Sequence, residues 1–295
     1  MANTWQLRAW VLFGAIAFIN YIGWWYREAG ADNGLRLLLC LALPYFLIQF
    51  LGSWFLYLRA RQRGGPAMPA RSGASGPTVD VFVTACGEPY PLVRRVLEAA
   101  CAIRTPHRTW LLDDGADPAL ADLARRLGAG YLSRAARADA KAGNLNAALA
   151  QTSGELVAIF DVDHVPRADF LERTVPHFAD SSVGFVQVML TFGNQRQSWV
   201  ARAAAETSLD YYVPTSLGMD AIGGTTLMGS NAVIRRAALD SIGGYRPGLA
   251  EDLATSLALH EAGWGSVYVP EPLAPGLAPS NVQAWLIQQL KWARG

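Results

Sequence analysis

The sequence predicts an α/β domain with a largely parallel sheet, carried behind two N-terminal transmembrane helices. Three observations support this. Two charge-free stretches, 9–26 and 37–58, lie near the start of the chain. From Thr78 onward, short apolar runs alternate with helical periods, the pattern of successive βαβ units. Finally, 52% hydrophobic residues over 295 positions, with a mean hydropathy of +0.16, is high unless the excess is concentrated in membrane spans. A net charge of +1 supplies no global field for nucleic acid or an acidic partner. Cys40, Cys86 and Cys101 lack metal-ligand spacing and read as small apolar residues of a reducing compartment.

Each charge-free stretch, at about 1.5 Å per helical residue, reaches across a hydrocarbon core about 30 Å thick, the first with the help of its flanks. Trp5, Trp24, Trp25 and Tyr26 border the first, Trp54 and Tyr57 the second, as interfacial belts do. A signal peptide is the competing reading of the first stretch, but only Arg8 precedes it and a second span follows at once. The connector carries both signs (Arg27, Glu28, Asp32, Arg36), whereas Arg59, Arg61, Arg63 and Arg71 follow the second span with no acid before Asp80. The positive-inside rule then puts the N-terminus and everything after Leu58 in the cytoplasm. Gly64 to Pro77, rich in Gly, Pro, Ala and Ser, reads as a flexible tether. The expected organisation is therefore a membrane pair over 1–63 (helices about 5–26 and 36–58), a linker over 64–77, a soluble domain over 78–279, and an amphipathic helix over 280–295.

Within the soluble part, Val79 to Thr84 reads as a strand and Pro91 to Ile103 as a helix with Leu92, Val96, Leu97 and Ala100 on one face. Trp110 to Leu112 is a second strand, ending in Asp113-Asp114-Gly115. A helix over 118–127, a strand at 131–132, a helix through 144–150 and a strand at Leu156 to Phe160 continue the alternation. In such sheets ligands bind beyond the carboxyl ends of the strands. Three of these ends carry acids: Glu88 after the first strand, Asp113 and Asp114 after the second, Asp161 and Asp163 after the fourth.

Asp161 and Asp163 stand one residue apart, so the two-residue strand period puts both carboxylates on one side. Two carboxylates with water and a phosphate suit Mg²⁺ or Mn²⁺; a plain surface turn is the alternative, since Asp is common there. His164 stays outside this set, as a residue that points to solvent or holds the loop. Neither Gly-x-Gly-x-x-Gly nor a Walker pattern follows the first strand, which argues against a dinucleotide or P-loop site. Lys141-Ala142-Gly143-Asn144 opens a helix, where a cation beside free N–H groups suits a diphosphate; a solvated lysine at a helix start is the alternative.

The second half is less regular. Val183 to Leu190 reads as a strand, Gln197 to Tyr211 as a helix, and Met228 to Asn231 as a tight loop before the strand Ala232 to Arg235. Gly243-Gly244-Tyr245 is a turn. Glu251-Asp252 opens a helix that runs through His260; acids there are favoured by the macrodipole alone, and His260 is a helix-face residue. In Asn281 to Arg294 the spacing of Val282, Trp285, Leu286 and Leu290 makes an amphipathic helix, fit for a bilayer interface or for packing on the domain.

Together, Asp113-Asp114-Gly115, Lys141-Ala142-Gly143-Asn144-Leu145-Asn146, Phe160-Asp161-Val162-Asp163-His164-Val165-Pro166, Glu251-Asp252 and Gln288-Gln289-Leu290-Lys291-Trp292-Ala293-Arg294-Gly295 occur in the order and approximate spacing of the family 2 membrane glycosyltransferases. The chain most resembles the catalytic subunit of bacterial cellulose synthase and related β-glycan synthases. The resemblance implies a GT-A fold and inverting transfer from a UDP-sugar, with glucose the expected sugar and a growing glycan the acceptor. It implies that Asp161 and Asp163 bracket the metal, Asp163 as the more direct ligand. Asp113 or Asp114 with Glu88 would hold the uridine, Lys141 would lie near the diphosphate, and Asp252 would be the general base. Gln288, Lys291 and Trp292 resemble the family's Gln-x-x-Arg-Trp element, in which the cation assists the leaving diphosphate and the indole stacks on the acceptor sugar. A bacterial cytoplasmic membrane and accessory synthase subunits are implied in the same way.

Several positions depart from that pattern. Thr-Glu-Asp reads Ala250-Glu251-Asp252, which keeps the base, and Arg is replaced by Lys291, which loses the planar fork. Thr-Tyr-Asn-Glu reads Ala85-Cys86-Gly87-Glu88. The sequence ends at Gly295, so a partial chain that stops before the channel helices of polymerising members is expected. Transfer of one sugar to a lipid acceptor, and a non-catalytic nucleotide-sugar-binding relative, are the alternatives that these departures raise.

Overall fold

The computed structural model describes residues 4–28, 34–60 and 76–294. Helices α1 (Thr4–Glu28) and α2 (Gly34–Arg59) are apolar around most of their circumference. Trp5–Trp25 and Cys40–Arg59 are long and apolar enough to cross a membrane. They touch where Gly14 leaves room for the Trp54 indole, 3.2 Å from where a β-carbon would stand, and where Phe18 meets Phe50. The expected tether lies outside the described residues except for Gly76 and Pro77, as do Arg61, Arg63 and Arg71.

The soluble part opens with the expected alternation: β1 (Val79–Ala85), α3 (Tyr90–Cys101), β2 (Arg108–Asp113), α4 (Pro118–Leu127), β3 (Gly130–Leu132), α5 (Ala140–Leu149) and β4 (Leu156–Asp161). After it come α6 (Phe170–Thr174), β5 (Val183–Val188), β6 (Thr191–Phe192), α7 (Trp199–Asp210), a π-helical turn (Tyr211–Thr215), α8 (Ser216–Ala221) and β7 (Ala232–Arg235). Last are α9 (Arg236–Ser241), α10 (Glu251–Glu261), β8 (Gly265–Val269), β9 (Pro275–Gly276) and α11 (Val282–Arg294). Local signals account for the well-read elements. In α4, Pro118 takes the first position, Asp117 accepts from Ala119 N at 2.8 Å, and Gly128 ends the helix at φ 71°.

Seven strands form one sheet in the order β3-β2-β1-β4-β7-β5-β8, and β6 pairs with β9 apart from it. Strands β1 to β4 are mutually parallel, and β5 is parallel to β8. Strand β7 runs antiparallel to both neighbours, so the sheet is mixed at that point. Through α7, α8 and the loop over 222–231 the chain stays on the side where β5 ended, so β7 enters from that edge and runs back. The two-residue period divides β1: Val79, Val81, Val83 and Ala85 pack with Val93, Val96 and Leu97 of α3, while Phe82 packs with Leu112, Leu145 and Ile159 on the other face. Each such buried side chain contributes about 1.5–3 kcal/mol of transfer free energy.

At the opposite end of the sheet from the strand acids, Arg236 pairs with the buried Asp80 at 3.0 Å. Trp110 Nε1 and the Gly154 amide also donate to that carboxylate, at 3.0 and 2.6 Å. The α/β part meets the two apolar helices through α2: a β-carbon on Gly218 would lie 2.3 Å from Leu56 O, and the Tyr57 hydroxyl donates to Asp210. Helix α11 rests Trp285 against Ala201, Ala204 and Ala278, leaving Leu286, Ile287, Leu290 and Trp292 exposed.

Candidate active site

Parallel β1, β2 and β4 deliver Ala85, Asp113 and Asp161 to one sheet edge. Asp161 closes β4, and its amide donates to Ser230 Oγ at 3.0 Å. Asp163 lies beyond the strand, in a turn closed by His164 N donating to Asp161 O at 3.0 Å. The two carboxylates therefore converge through that turn and not through the strand period. Val162 between them is buried, which anchors the turn.

His164, read from sequence as a loop residue, is buried. Its Nδ1 lies 2.8 Å from Asp163 Oδ1, and its Nε2 has no hydrogen-bond partner. The ring packs on Gly276, where a β-carbon would lie 2.6 Å from Nε2. Asp161, Asp163 and His164 each offer a ligand atom, all within 4.8 Å of one another. The two carboxylates are the hard donors that an Mg²⁺- or Mn²⁺-type ion takes, and the His164 ring adds a nitrogen beside Asp163.

Lys141, the second residue of α5, donates to Asp161 Oδ1 and to Gly229 O, the latter at 2.6 Å. Thr84 Oγ1 donates to the same Asp161 oxygen at 2.9 Å. Burial pushes the Asp161 carboxyl up, yet the Lys141 ammonium outweighs it and holds the group below the ordinary carboxylate range. Gly229, at φ 81°, is the hub of this group. A β-carbon there would lie 3.6 Å from Asp252 Oδ2 and 3.9 Å from Lys141 Nζ. Lys141, Asp161 and Asp252, 111 positions apart at the extremes, are thus gathered around one glycine.

Helix α10 is held over that loop by hydroxyls and a histidine. Ser256 Oγ accepts from Leu227 N at 2.7 Å, Thr255 Oγ1 accepts from Arg246 N at 3.0 Å, and the His260 ring bridges the carbonyls of Thr225 and Trp264 at 2.8 and 3.2 Å. His260 is therefore more than a helix-face residue: it ties the helix bearing Asp252 to the loop it faces. Burial, with the neighbouring Asp252 charge, raises the Glu251 carboxyl above its ordinary value.

A second group sits at the end of β2. Asp113 is fully buried and accepts from Gly115 N, Asp117 N and the Tyr131 hydroxyl at 2.7, 2.7 and 2.8 Å. Its carboxylate holds the Asp113-Asp114-Gly115 turn. Asp114 takes a bidentate pair from Arg134, at 2.6 and 2.8 Å, with both side chains nearly buried. The same guanidinium donates to the carbonyls of Ala138 and Ala140, each at 2.5 Å, which holds Asp139 and Ala140 at φ 59° and 42° just before Lys141. The turn lies beside Glu88: Asp114 N donates to Ala85 O at 2.9 Å, and Glu88 accepts from Cys86 N at 2.5 Å.

Asn144 and Asn146 of the Lys-Ala-Gly-Asn-Leu-Asn run are structural. Asn144 donates to Leu112 O at 3.2 Å, and Asn146 exchanges bonds with Tyr245 at 2.9 and 2.7 Å. Gln288, Lys291 and Trp292 stand apart: among the described residues none of them bonds to Asp161, Lys141 or Asp252, and Trp292 is 49% exposed. Sequence reasoning passed over Thr84, Arg134 and Gly229, and set His164 aside. Only His164, beside the acidic pair, carried a local signal.

Residues 77–295 match the family model described as glycosyltransferase like family 2. The chain is 35% identical over 295 residues to the putative cellulose synthase 2 of Komagataeibacter xylinus, covering 97% of this chain and 19% of that protein. It is 35% identical over 292 residues to the cellulose synthase catalytic subunit [UDP-forming] of Xanthomonas axonopodis pv. citri, covering 94% of this chain and 40% of the relative. It thus spans less than half the length of these relatives. The fold is similar to the mannosyltransferase PcManGT from Pyrobaculum calidifontis, a structure in complex with GDP-Man and Mn²⁺ (TM-score 0.62, 21% identity, 85% of this chain and 72% of that one). It is also similar to glucosyl-3-phosphoglycerate synthase from Mycobacterium tuberculosis, in complex with Mn²⁺, UDP-glucose and phosphoglyceric acid (TM-score 0.53, 18% identity, 79% and 83%). With a GT-A-like α/β domain behind two apolar helices and a family match over its whole soluble part, the chain belongs to glycosyltransferase family 2, near the cellulose synthases.

Proposed function

We propose that the protein is a membrane-anchored, metal-dependent inverting glycosyltransferase that moves glucose from UDP-glucose to a growing β-glycan on the cytoplasmic face of the membrane. The observation that carries this reading is the convergence of Asp252, Lys141 and Asp161 around Gly229 at the carboxyl edge of the sheet. Asp161, Asp163 and His164 would hold Mg²⁺ or Mn²⁺, which when bound neutralises charge developing on the leaving diphosphate. Lys141 adds a cation aimed at the same charge. Glu88, after β1, and Asp114, on the turn that Asp113 holds, form the uridine end. Asp252 takes the proton from the acceptor hydroxyl as it attacks the anomeric carbon; one base suffices for inversion, and such catalysis contributes about 10² to 10⁴-fold. From α11, Lys291 with Gln288 would assist the leaving diphosphate and Trp292 would stack on the acceptor sugar. The arginines after α2 favour a cytoplasmic domain, and accessory synthase subunits are the proposed partners besides the lipid bilayer.

The test is transfer from a panel of UDP-sugars in purified membranes. Transfer should stop in excess chelator, return with Mn²⁺ or Mg²⁺, and fall at least 100-fold in Asp252→Asn while UDP binding persists. Turnover in chelator equal to that with metal refutes the metal assignment, and an Asp252→Asn rate within twofold of wild type refutes the base. A second reading, single transfer to a lipid-borne acceptor, is favoured by the exposed apolar residues Leu286, Ile287 and Leu290 of α11. Product length by mass spectrometry separates the two.

A further inference from the structure

Lys141 already occupies one oxygen of the carboxylate on which a divalent cation would sit. Its ammonium rests on Asp161 Oδ1, the oxygen that also takes the Thr84 hydroxyl, and it is held from the other side by Gly229 O at 2.6 Å. Its side chain is 20% exposed, so water screens this contact only in part. A dication brought to the same oxygen meets a like charge at close range, and at the effective permittivity of a protein surface that repulsion lowers binding by orders of magnitude. The lysine stem is flexible and starts one residue into α5, so the ammonium can leave without moving the backbone. It does so only if another acceptor replaces Asp161 and Gly229.

We infer that Lys141 is a resident cation that keeps the metal site closed until a nucleoside diphosphate arrives. The diphosphate offers the ammonium a stronger set of acceptor oxygens, Lys141 turns to it, and Asp161 Oδ1 becomes free for the metal. Metal and donor therefore bind cooperatively, and the donor-free protein has little affinity for metal. The inference rests on the metal and donor reading proposed above and adds the order in which that site fills.

The test is Mn²⁺ binding, followed by the loss of the free-ion electron paramagnetic resonance signal, on the full chain in detergent with and without UDP. Without nucleotide, Lys141→Met and Lys141→Gln should bind Mn²⁺ at least tenfold more tightly than wild type, and UDP should tighten binding far more in wild type than in either variant. Asp161→Asn added to Lys141→Met should abolish the gain. Equal nucleotide-free affinity in wild type and both variants overturns the inference, as does a gain that survives Asp161→Asn. If wild type binds no Mn²⁺ even with UDP, the metal reading itself falls; if it binds with UDP and the variants show no gain without it, only the closed-site inference falls.

Discussion

Replacing Arg134 by Met should loosen the site from its Asp114 end. The change strands Asp114, whose side chain is 6% exposed against 13% for Arg134, and removes two donors from the carbonyls of Ala138 and Ala140. Removing one partner of a buried pair costs about 3–5 kcal/mol. The carbonyls lie nearer the surface and water replaces their donors, so they add little. At about 2–4 °C per kcal/mol for a domain of this size, the melting temperature should drop by about 10 °C. Intrinsic fluorescence melts in detergent read this directly. The double variant Arg134→Met with Asp114→Asn, which no longer buries a lone charge, should recover at least half of the loss. A melt of Arg134→Met within 2 °C of wild type would refute the reasoning. A double variant no more stable than the single one would show that the carbonyl bonds, and not the ion pair, hold the loop before Lys141.

Gly276→Ala sets a methyl 2.6 Å from His164 Nε2, so the ring must shift and Asp163 with it; Mn²⁺ binding in the presence of UDP should weaken about tenfold by paramagnetic resonance, and the melting temperature should fall by about 5 °C, from about 1–3 kcal/mol of overpacking. Gly218→Val drives a side chain into Leu56 O, 2.3 Å from the β-carbon, and should lower the melting temperature by about 5 °C, from about 1–3 kcal/mol of overpacking. The Glu251 carboxyl is raised in the folded protein, so the fold binds its proton more tightly than the unfolded chain does. Stability therefore falls as pH rises from the unfolded value, about 4.3, through the folded one, and the penalty is complete above it. Glu251→Gln should melt higher than wild type at pH 8 and at the same temperature at pH 4.

The first half of the fold was legible because its contacts are local. The βαβ series from β1 to β4 repeats one pattern in register with its turn signals, down to Asp117, Pro118 and Gly128 around α4. The antiparallel β7 was not legible, since its direction depends on which edge the chain occupies after α8. Helix α5 starts at Ala140, one residue before the Lys141 at which the sequence opens it, and its first turn is held by Arg134 from outside the helix. The acidic positions at the strand ends were legible as well, but their division of labour was not. Asp113 and Asp114 are adjacent in sequence, and only the donors around them separate a turn-holding carboxylate from one paired with Arg134.

By itself, the sequence determined two apolar helices, an α/β alternation with acids at one sheet edge, and the run of motifs that marks a glycosyltransferase. All of these are written in short windows, where periodicity and residue chemistry act. The tertiary structure alone decided that Lys141 rests on Asp161, that Asp252 faces both across Gly229, that the His164 ring packs on Gly276, and that α2 docks on α8. Those contacts join residues tens to more than a hundred positions apart, so their energies depend on distances that no local pattern carries.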